Sequence, residues 1–197
     1  MKKHRRKDNM KILRQKMSGL VLLIVISLAI LTFQASRVAT NEEIRLLYLK
    51  QQALEFAQKY SDQDAIVVSK KDHLLYYFRN GRLVTNDRWN GFTYNFPVKV
   101  ALAMPGYDTP EGEMFIDRKN PYSKYVLFLS FSGPYAYGIH SEATKYKNYM
   151  EKMERINPNF MFATKKDNTR GCVQVENRII KYLFSKVDIK TPVLVMR

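Results

Sequence analysis

The pattern of hydrophobic and polar residues changes several times along the chain, and its first feature is a long apolar run. Residues 17–36 contain no charged side chain and are rich in Leu, Ile and Val. A helix rises about 1.5 Å per residue, so a helix of this length reaches roughly 30 Å, the thickness of the hydrocarbon core of a bilayer. The run therefore predicts a transmembrane helix over residues 17–36.

A pattern with helical periodicity follows the apolar run. Thr40 and Glu43 have the spacing of a capping box, in which the two side chains bond to each other's backbone amides at a helix start. The apolar residues that follow fall on one helical face: Leu46, Leu49, Ala53, Phe56 and Tyr60. We predict a stalk helix within residues 37–62. It would pack against the following domain or pair with a second copy as a short coiled coil.

From residue 63 onward the pattern is typical of β-strands. Short runs of β-branched and aromatic residues alternate with Gly, Pro and Asn, and Asn80-Gly81 predicts a tight hairpin turn. The strands predicted in this way cover residues 65–69, 74–78, 83–84, 98–104, 114–116, 125–132 and 192–196. Helical spacing returns over residues 141–159 and 177–186. Residues 63–197 are therefore expected to form a mainly β domain, antiparallel or mixed, with a helical insertion.

The distribution of charge along the chain distinguishes between two explanations for the basic composition. The net charge of +15 would suggest nucleic-acid binding, but residues 1–16 hold eight Lys or Arg and one Asp. A basic flank before an apolar span is typical of a cytoplasmic tail whose following domain is exported. We therefore expect a basic cytoplasmic tail at 1–16, a signal anchor at 17–36 and no nucleic-acid partner. A cleaved signal peptide is the alternative, but the candidate sites at residues 34–36 and 37–39 lack a small residue at −3, and the one that fits, residues 27–29, lies inside the apolar run.

This topology places the domain on the periplasmic or extracytoplasmic side of the inner membrane, behind a single membrane span. Cys172 is the only cysteine in the 197 residues. In an oxidising compartment a lone thiol is a liability unless it is buried or used chemically. The structural interpretation is a buried cysteine that behaves as a small apolar residue.

The chemical interpretation is a cysteine nucleophile with a histidine base, the minimum for thiol-based acyl transfer. Three histidines are available: His4 lies in the basic tail, His73 in a polar turn where we expect it to be solvated, and His140 remains as the base. Gly171 leaves room beside the thiol for substrate and for amides that stabilise an oxyanion. His and Cys are too few for a zinc site, so we expect no metal.

Two stretches carry a resemblance to a known family, Tyr137-Gly138-Ile139-His140-Ser141 and Thr169-Arg170-Gly171-Cys172-Val173-Gln174-Val175. They resemble the L,D-transpeptidase (YkuD-type) catalytic domain, which remodels peptidoglycan. Residues 67–77, 109–116 and 190–195 are also similar to that family, so the likeness covers about residues 63–197. Arg170 stands where the family motif has histidine, and Gln174 where it usually has arginine. The segment 141–168 is longer than the family's spacing.

The resemblance implies a fold and a set of roles. The fold would be a mixed β-sandwich of the L,D-transpeptidase type with an insertion at 141–168. The extra length of this segment predicts a lid over the cleft, and a solvated helix without a role is the alternative. Cys172 would attack the stem peptide at the L-centre of its third residue and release the terminal D-alanine, with no cofactor. His140 would act as base and then acid, oriented by a main-chain carbonyl near Ser141. The remaining implied roles are oxyanion binding or positioning for Gly171, Ser141, Arg170 and Thr169, and substrate binding for Gln174 and Tyr137.

Two further functions stay open at this point. Water in place of an acceptor amine would make the protein an L,D-carboxypeptidase or endopeptidase. A non-catalytic protein that binds the cell wall with the same fold is the other alternative, with Arg170 and Gln174 as marks of lost chemistry. The partners expected from the sequence are peptidoglycan stem peptides and, through residues 17–36, the inner membrane. The sequence does not predict an oligomeric state.

Overall fold

The computed structural model describes Ser27 and residues 43–131, 137–142, 144–163 and 166–197. The chain divides into two compact units, Met1–Leu49 and Lys50–Arg197. The tail 1–16 and, apart from Ser27, the predicted membrane span 17–36 lie outside the described residues. Within the part that is described, every helix is too short or too polar to cross a bilayer.

Strands dominate the second unit, as the sequence pattern predicts. Helix α1 covers residues 43–59. The remaining elements, in chain order, are β1 (Asp64–Ser69), β2 (Leu74–Arg79), β3 (Arg82–Leu83), β4 (Asp87–Trp89), β5 (Phe92–Tyr94), β6 (Val98–Lys99), β7 (Gly112–Phe115), β8 (Arg118–Ser123), β9 (Val126–Ser130), β10 (Gly138–His140), α2 (Lys147–Ile156), β11 (Val173–Gln174), α3 (Asn177–Lys186) and β12 (Pro192–Met196).

The strands form two main sheets and one hairpin. The first sheet has the order β3-β2-β1-β12-β7, with β6 also paired to β2, and the second has the order β11-β10-β9-β8. Strands β1 and β12 are parallel, as are β10 and β11, so the architecture is mixed. Strands β4 and β5 form a separate hairpin. The mainly β prediction is therefore confirmed.

The Asn-Gly turn between β2 and β3 is also confirmed. Asn80 and Gly81 have φ values of 50° and 69°. A type I′ turn requires positive φ at both central residues, which Asn and Gly tolerate better than other residues. Residues 98–104 differ from the prediction, because only Val98–Lys99 is a strand. Ala101 and Ala103 instead form isolated bridges to Gln174 and Thr169. The chain changes partner here, from β2 to the segment around Cys172.

Both sheets and helix α3 contribute to one buried core. Helix α3 buries four apolar side chains at helical spacing, Ile179, Ile180, Tyr182 and Leu183. They pack in the same cluster as Ile66 and Leu75 of the first sheet and Leu129 and Ile139 of the second. Burial of a side chain of this size stabilises the fold by about 1.5–3 kcal/mol, so this cluster holds the second sheet in place.

A second, smaller cluster lies on the other face of strands β1 and β2. It joins Ala53, Phe56 and Ala57 of α1 to Ala65, Val67, Tyr76 and Phe78. Strand side chains alternate between faces, so β1 and β2 supply both clusters. Of the two interpretations left open for the stalk helix, the structure shows packing against the domain for residues 53–57.

Candidate active site

A cavity of about 500 Å³ holds the two residues that the sequence singles out for chemistry, Cys172 and His140. Both come from the parallel pair β10–β11, in which Ile139 is opposite Val173 and His140 opposite Gln174. Cys172 immediately precedes β11. Because side chains alternate along a strand, Cys172 and His140 reach the same face of the second sheet.

The backbone on both sides of Cys172 is fixed by neighbouring segments. The Val175 amide donates to the His140 carbonyl at 2.9 Å, and the Gln174 amide to the Ala101 carbonyl at 2.8 Å. The Met104 amide donates to the Thr169 carbonyl at 2.9 Å. The nucleophile candidate therefore lies on a segment held from two directions.

The orientation of His140 is set by its neighbours. Its side chain is 2% exposed, and Nδ1 hydrogen-bonds to the Ser141 carbonyl. A carbonyl can only accept, so Nδ1 carries the hydrogen and Nε2 keeps the lone pair. Nε2 makes no hydrogen bond with any residue that the structure describes. The Tyr125 ring stacks on the imidazole, with centroids 3.9 Å apart.

The environment keeps this histidine neutral at physiological pH. The pKa of His140 is lowered to about 4, mainly by burial and to a smaller extent by the positive charge of Lys124. The Ser141 carbonyl and the charge of Glu142 act in the opposite direction. A neutral imidazole with a free lone pair on Nε2 is the form that can accept a proton.

The thiol of Cys172 is protonated in the resting state. Burial raises its pKa, while a backbone hydrogen bond from Gly138 and the charge of Lys124 lower it by smaller amounts. A thiol with a raised pKa is a poor nucleophile until a base takes its proton. The arrangement thus fits a pair in which the thiolate of Cys172 forms only when His140 takes the thiol proton.

Thr169 organises the turn that leads into Cys172. Its hydroxyl donates to the Cys172 carbonyl at 2.7 Å and accepts from the Gly171 amide at 3.3 Å. The Gly171 amide, predicted to stabilise an oxyanion, is therefore engaged inside the turn. Gly171 has φ of 118°, and a Cβ there would lie 2.4 Å from the Tyr137 ring. Tyr137 packs over the glycine and is not among the described residues that line the cavity.

Arg170 and Gln174 line the cavity, as Thr169 also does. Arg170 is exposed, and its guanidinium lies 5.6 Å from the centroid of the Tyr107 ring. Gln174 is buried, with its backbone paired to Ala101. The positive charge that lowers the pKa of Cys172 is that of Lys124. The side chain of Arg170 extends toward Tyr107 and solvent, and the positioning role that the resemblance implies for it stays a prediction.

The sequence did not indicate three charged or aromatic residues of the cavity, Lys124, Tyr125 and Glu142. Lys124 and Tyr125 come from the turn between β8 and β9, and the Ser141 hydroxyl donates to the Tyr125 carbonyl at 2.9 Å. Glu142 is only 3% exposed although it carries a carboxylate. Buried carboxylates are rare. Glu142 lies two positions after His140, and this proximity in sequence was the one signal that could have indicated it.

Comparison with known proteins identifies the domain. A family model described as the L,D-transpeptidase catalytic domain, YkuD, matches residues 63–195. The chain belongs to this family. No curated protein matches the chain.

Solved structures of L,D-transpeptidases share the fold. L,D-transpeptidase 3 from Mycobacterium tuberculosis has a TM-score of 0.50 and 14% identity, over 68% of this chain and 61% of that one. The same enzyme with a faropenem-derived adduct has a TM-score of 0.50 and 15% identity, over 68% of this chain and 60% of that one. The chain thus spans about three fifths of the length of these structures, and at this level of identity they show the fold alone.

The insertion of this L,D-transpeptidase domain is attached to helix α3. Phe162 donates its amide to Asn177 Oδ1 at 2.8 Å, and the Asn177 amide donates to the Phe162 carbonyl at 3.1 Å. Asn177 Nδ2 also donates to Glu154 of α2, which accepts from Lys181 at 2.5 Å. Helix α2 lines a second cavity, of about 170 Å³, together with α3. The lid proposed for residues 141–168 stays a prediction. Of the described residues in this segment, Glu142 and Asn168 line the Cys172 cavity.

The far end of the insertion is held by His73. His73 Nε2 lies 2.9 Å from Asp167 Oδ2, and the Leu102 amide donates to Asp167 Oδ1 at 2.7 Å. Burial raises the pKa of Asp167, but the bonds from His73 and from the Leu102 amide outweigh it, and the net pKa is lowered. His73 lies in the β1–β2 turn with its side chain 44% exposed, as predicted, and its pair with Asp167 also connects this turn to the segment before Cys172.

Proposed function

We propose that the protein is a membrane-anchored cysteine acyltransferase that carries out L,D-transpeptidation on peptidoglycan stem peptides. The observation that carries the proposal is the placement of Cys172 and His140 in one cavity, with the lone pair of His140 on Nε2. Family membership supports the same reaction class.

In the first half of the reaction, Nε2 of His140 takes the proton of the Cys172 thiol. The thiolate attacks a carbonyl carbon of the donor stem peptide, forming a C–S bond and a tetrahedral oxyanion. When this intermediate collapses, the C–N bond breaks and Nε2 returns the proton to the leaving nitrogen. A thioester remains on Cys172, and the terminal D-amino acid is released.

In the second half, an amine of another stem or of a wall-linked protein attacks the thioester. Nε2 accepts the proton that the nitrogen loses, a C–N bond forms, and the C–S bond breaks. The proton on Nε2 then passes to the Cys172 sulfur and restores the starting state. Water as the acceptor would follow the same steps and give hydrolysis.

The Ser141 carbonyl supports this cycle in both directions. It accepts from Nδ1 whether the imidazole is neutral or protonated, so the ring keeps its orientation while Nε2 gains and loses a proton. The stacked Tyr125 ring also keeps the imidazole of His140 in its plane. Movement of the base during turnover is thus small.

Anchoring is part of the proposal and rests on the sequence. The basic tail 1–16 and the apolar run 17–36 support a single span with the catalytic domain on the periplasmic or extracytoplasmic side of the inner membrane. The wall polymer is then within reach of the cavity, and no nucleic-acid partner is involved.

The test is mass spectrometry of the full-length protein in detergent with purified tetrapeptide muropeptides. We expect cross-linked dimers that have lost one D-alanine, together with a covalent adduct on Cys172 after incubation with a carbapenem. Cys172→Ala is the matched control, and it should lose both products while unfolding at nearly the same temperature. Tripeptide without dimer would indicate a carboxypeptidase. Neither product from a folded protein would indicate the non-catalytic alternative.

A further inference from the structure

The cavity carries one charged group whose burial the acyl-transfer cycle does not explain. Glu142 is 3% exposed and lines the same cavity as His140 and Cys172. Removing a carboxylate from water is costly unless another group compensates for it. Its place in the chain brings it close to the base, because only Ser141 separates it from His140.

The other titratable or charged groups around His140 come from two elements. The turn between β8 and β9 contributes Lys124 and Tyr125, and the segment before β11 contributes Arg170 and Cys172. The Lys124 ammonium lies 5.1 Å from the centroid of the Tyr125 ring, which is itself stacked on the imidazole. Among the described residues that line the cavity, Glu142 is therefore the negative group, and Lys124 and Arg170 are the cations.

We propose that Glu142 is a positioning residue that acts through His140, stabilising the imidazolium that forms when Cys172 loses its proton. In that step the S–H bond of Cys172 breaks, an N–H bond forms on Nε2, and the products are a thiolate and an imidazolium. The inference rests on the proposed function, because it concerns the base of that reaction. It assigns Glu142 a role that neither the fold nor the family motif requires.

The charges of Glu142 and Lys124 have different effects on the pKa values of His140 and Cys172. The charge of Glu142 raises the pKa of His140, whereas the charge of Lys124 lowers the pKa of both His140 and Cys172. Glu142 thus changes the balance between the neutral pair and the ion pair. Lys124 lowers both pKa values, so the difference between them, which sets this balance, changes less.

These assignments predict the shape of a pH profile. Between the pKa values of His140 and Cys172 the neutral pair dominates, and the reactive ion pair is a constant small fraction of it. The rate of thiol alkylation is then flat over this range, and it rises at higher pH where hydroxide removes the proton. A charge that stabilises only the imidazolium raises the flat part and leaves the high-pH rate unchanged.

The experiment measures iodoacetamide alkylation of the full-length protein in detergent from pH 5 to 10.5. Cys172 is the only thiol in the chain, so the readout belongs to one atom. Glu142→Gln should lower the flat part about tenfold or more, because a neighbouring opposite charge changes an ionisation equilibrium by at least that factor. The high-pH rate should stay within about twofold of the parent rate. Glu142→Asp should retain most of the flat part.

Matched controls separate this role from a structural one. Glu151→Gln removes an exposed carboxylate of α2 and should reproduce the parent profile. Lys124→Gln should displace the high-pH rise to higher pH and change the flat part less than Glu142→Gln does. Equal losses in the flat part and at high pH in Glu142→Gln, or no loss at all, would overturn the proposal.

The outcome is also independent of transpeptidation. If Glu142→Gln lowers the flat part but no cross-linked product forms, the role of Glu142 stands and the proposed function fails. If cross-linked product forms and the profile is unchanged, the reverse holds.

Discussion

Asn177 connects the insertion to the domain, so its replacement should loosen the insertion without unfolding the rest. Asn177→Ala removes the acceptor of the Phe162 amide, 2.8 Å away, and the donor to Glu154. A partly buried amide left without an acceptor costs about 1–3 kcal/mol, and a hydrogen bond to a charged group contributes about 1.5–3 kcal/mol. Glu154 keeps Lys181 as a partner, which offsets part of the second loss. We therefore expect the docked state to lose about 2–4 kcal/mol.

A loss of this size corresponds to an increase of about 30-fold to 700-fold in the open population, since about 1.4 kcal/mol is a factor of ten. Native-state hydrogen exchange measures that population at single amides. The Phe162 amide should exchange faster by this factor, whereas amides of β1 should keep their parent rates. Asn148→Ala, at an exposed asparagine of α2, is the matched control. Unchanged protection at Phe162 in Asn177→Ala would refute the attachment argument.

Three further predictions concern the turn beside the thiol, the far end of the insertion and the topology. Gly171→Ala should cost about 2–5 kcal/mol of unfolding free energy in urea, from a disfavoured φ and an overpacked contact, and an unchanged midpoint would contradict this. Because folding lowers the pKa of Asp167, its stabilisation is present above about pH 4 and is lost as the pH falls below that value. Asp167→Asn and His73→Ala should therefore each weaken the fall of the unfolding free energy at acidic pH. A fall as steep as in the parent protein would exclude the His73–Asp167 pair as its cause. A reporter that fluoresces only in the cytoplasm, fused after Arg197, should stay dark, and bright cells would exclude an exported domain.

Elements with a long repeat were predictable from sequence, and most short ones were not; β3 is an exception, because the Asn80-Gly81 turn indicated it. Strands β1 and β2, helix α3 and strand β12 have enough residues to display a period of two or of 3.6. Strands β10 and β11 have three and two residues, which is too few for any period to appear. Strands β4 and β5 are equally short, although Asn90-Gly91 between them carries the same turn signal as Asn80-Gly81.

The residues of the site also divide into those that the sequence indicates and those that it does not. Cys172 and His140 are rare residue types in a distinctive local setting, so sequence alone singles them out as candidates. Lys124 and Glu142 are common charged residues, and only the folded arrangement of the β8–β9 turn and the end of β10 brings them to one cavity. The pairing of His73 with Asp167 joins residues 94 positions apart, a contact that local patterns do not encode.

The direct pairing of β10 with β11 has a consequence for how this domain tolerates change. The distance between the base and the nucleophile depends on the hydrogen bonds of two adjacent strands, and not on the length of the segment that joins them. Doubling a surface loop costs only about 0.6 kcal/mol of closure entropy. Residues 144–163 therefore occupy a position where sequence can be added, shortened or exchanged while the reacting atoms keep their places. For protein engineering it is a natural graft site, where a recognition module could be installed in the segment that joins the base to the nucleophile.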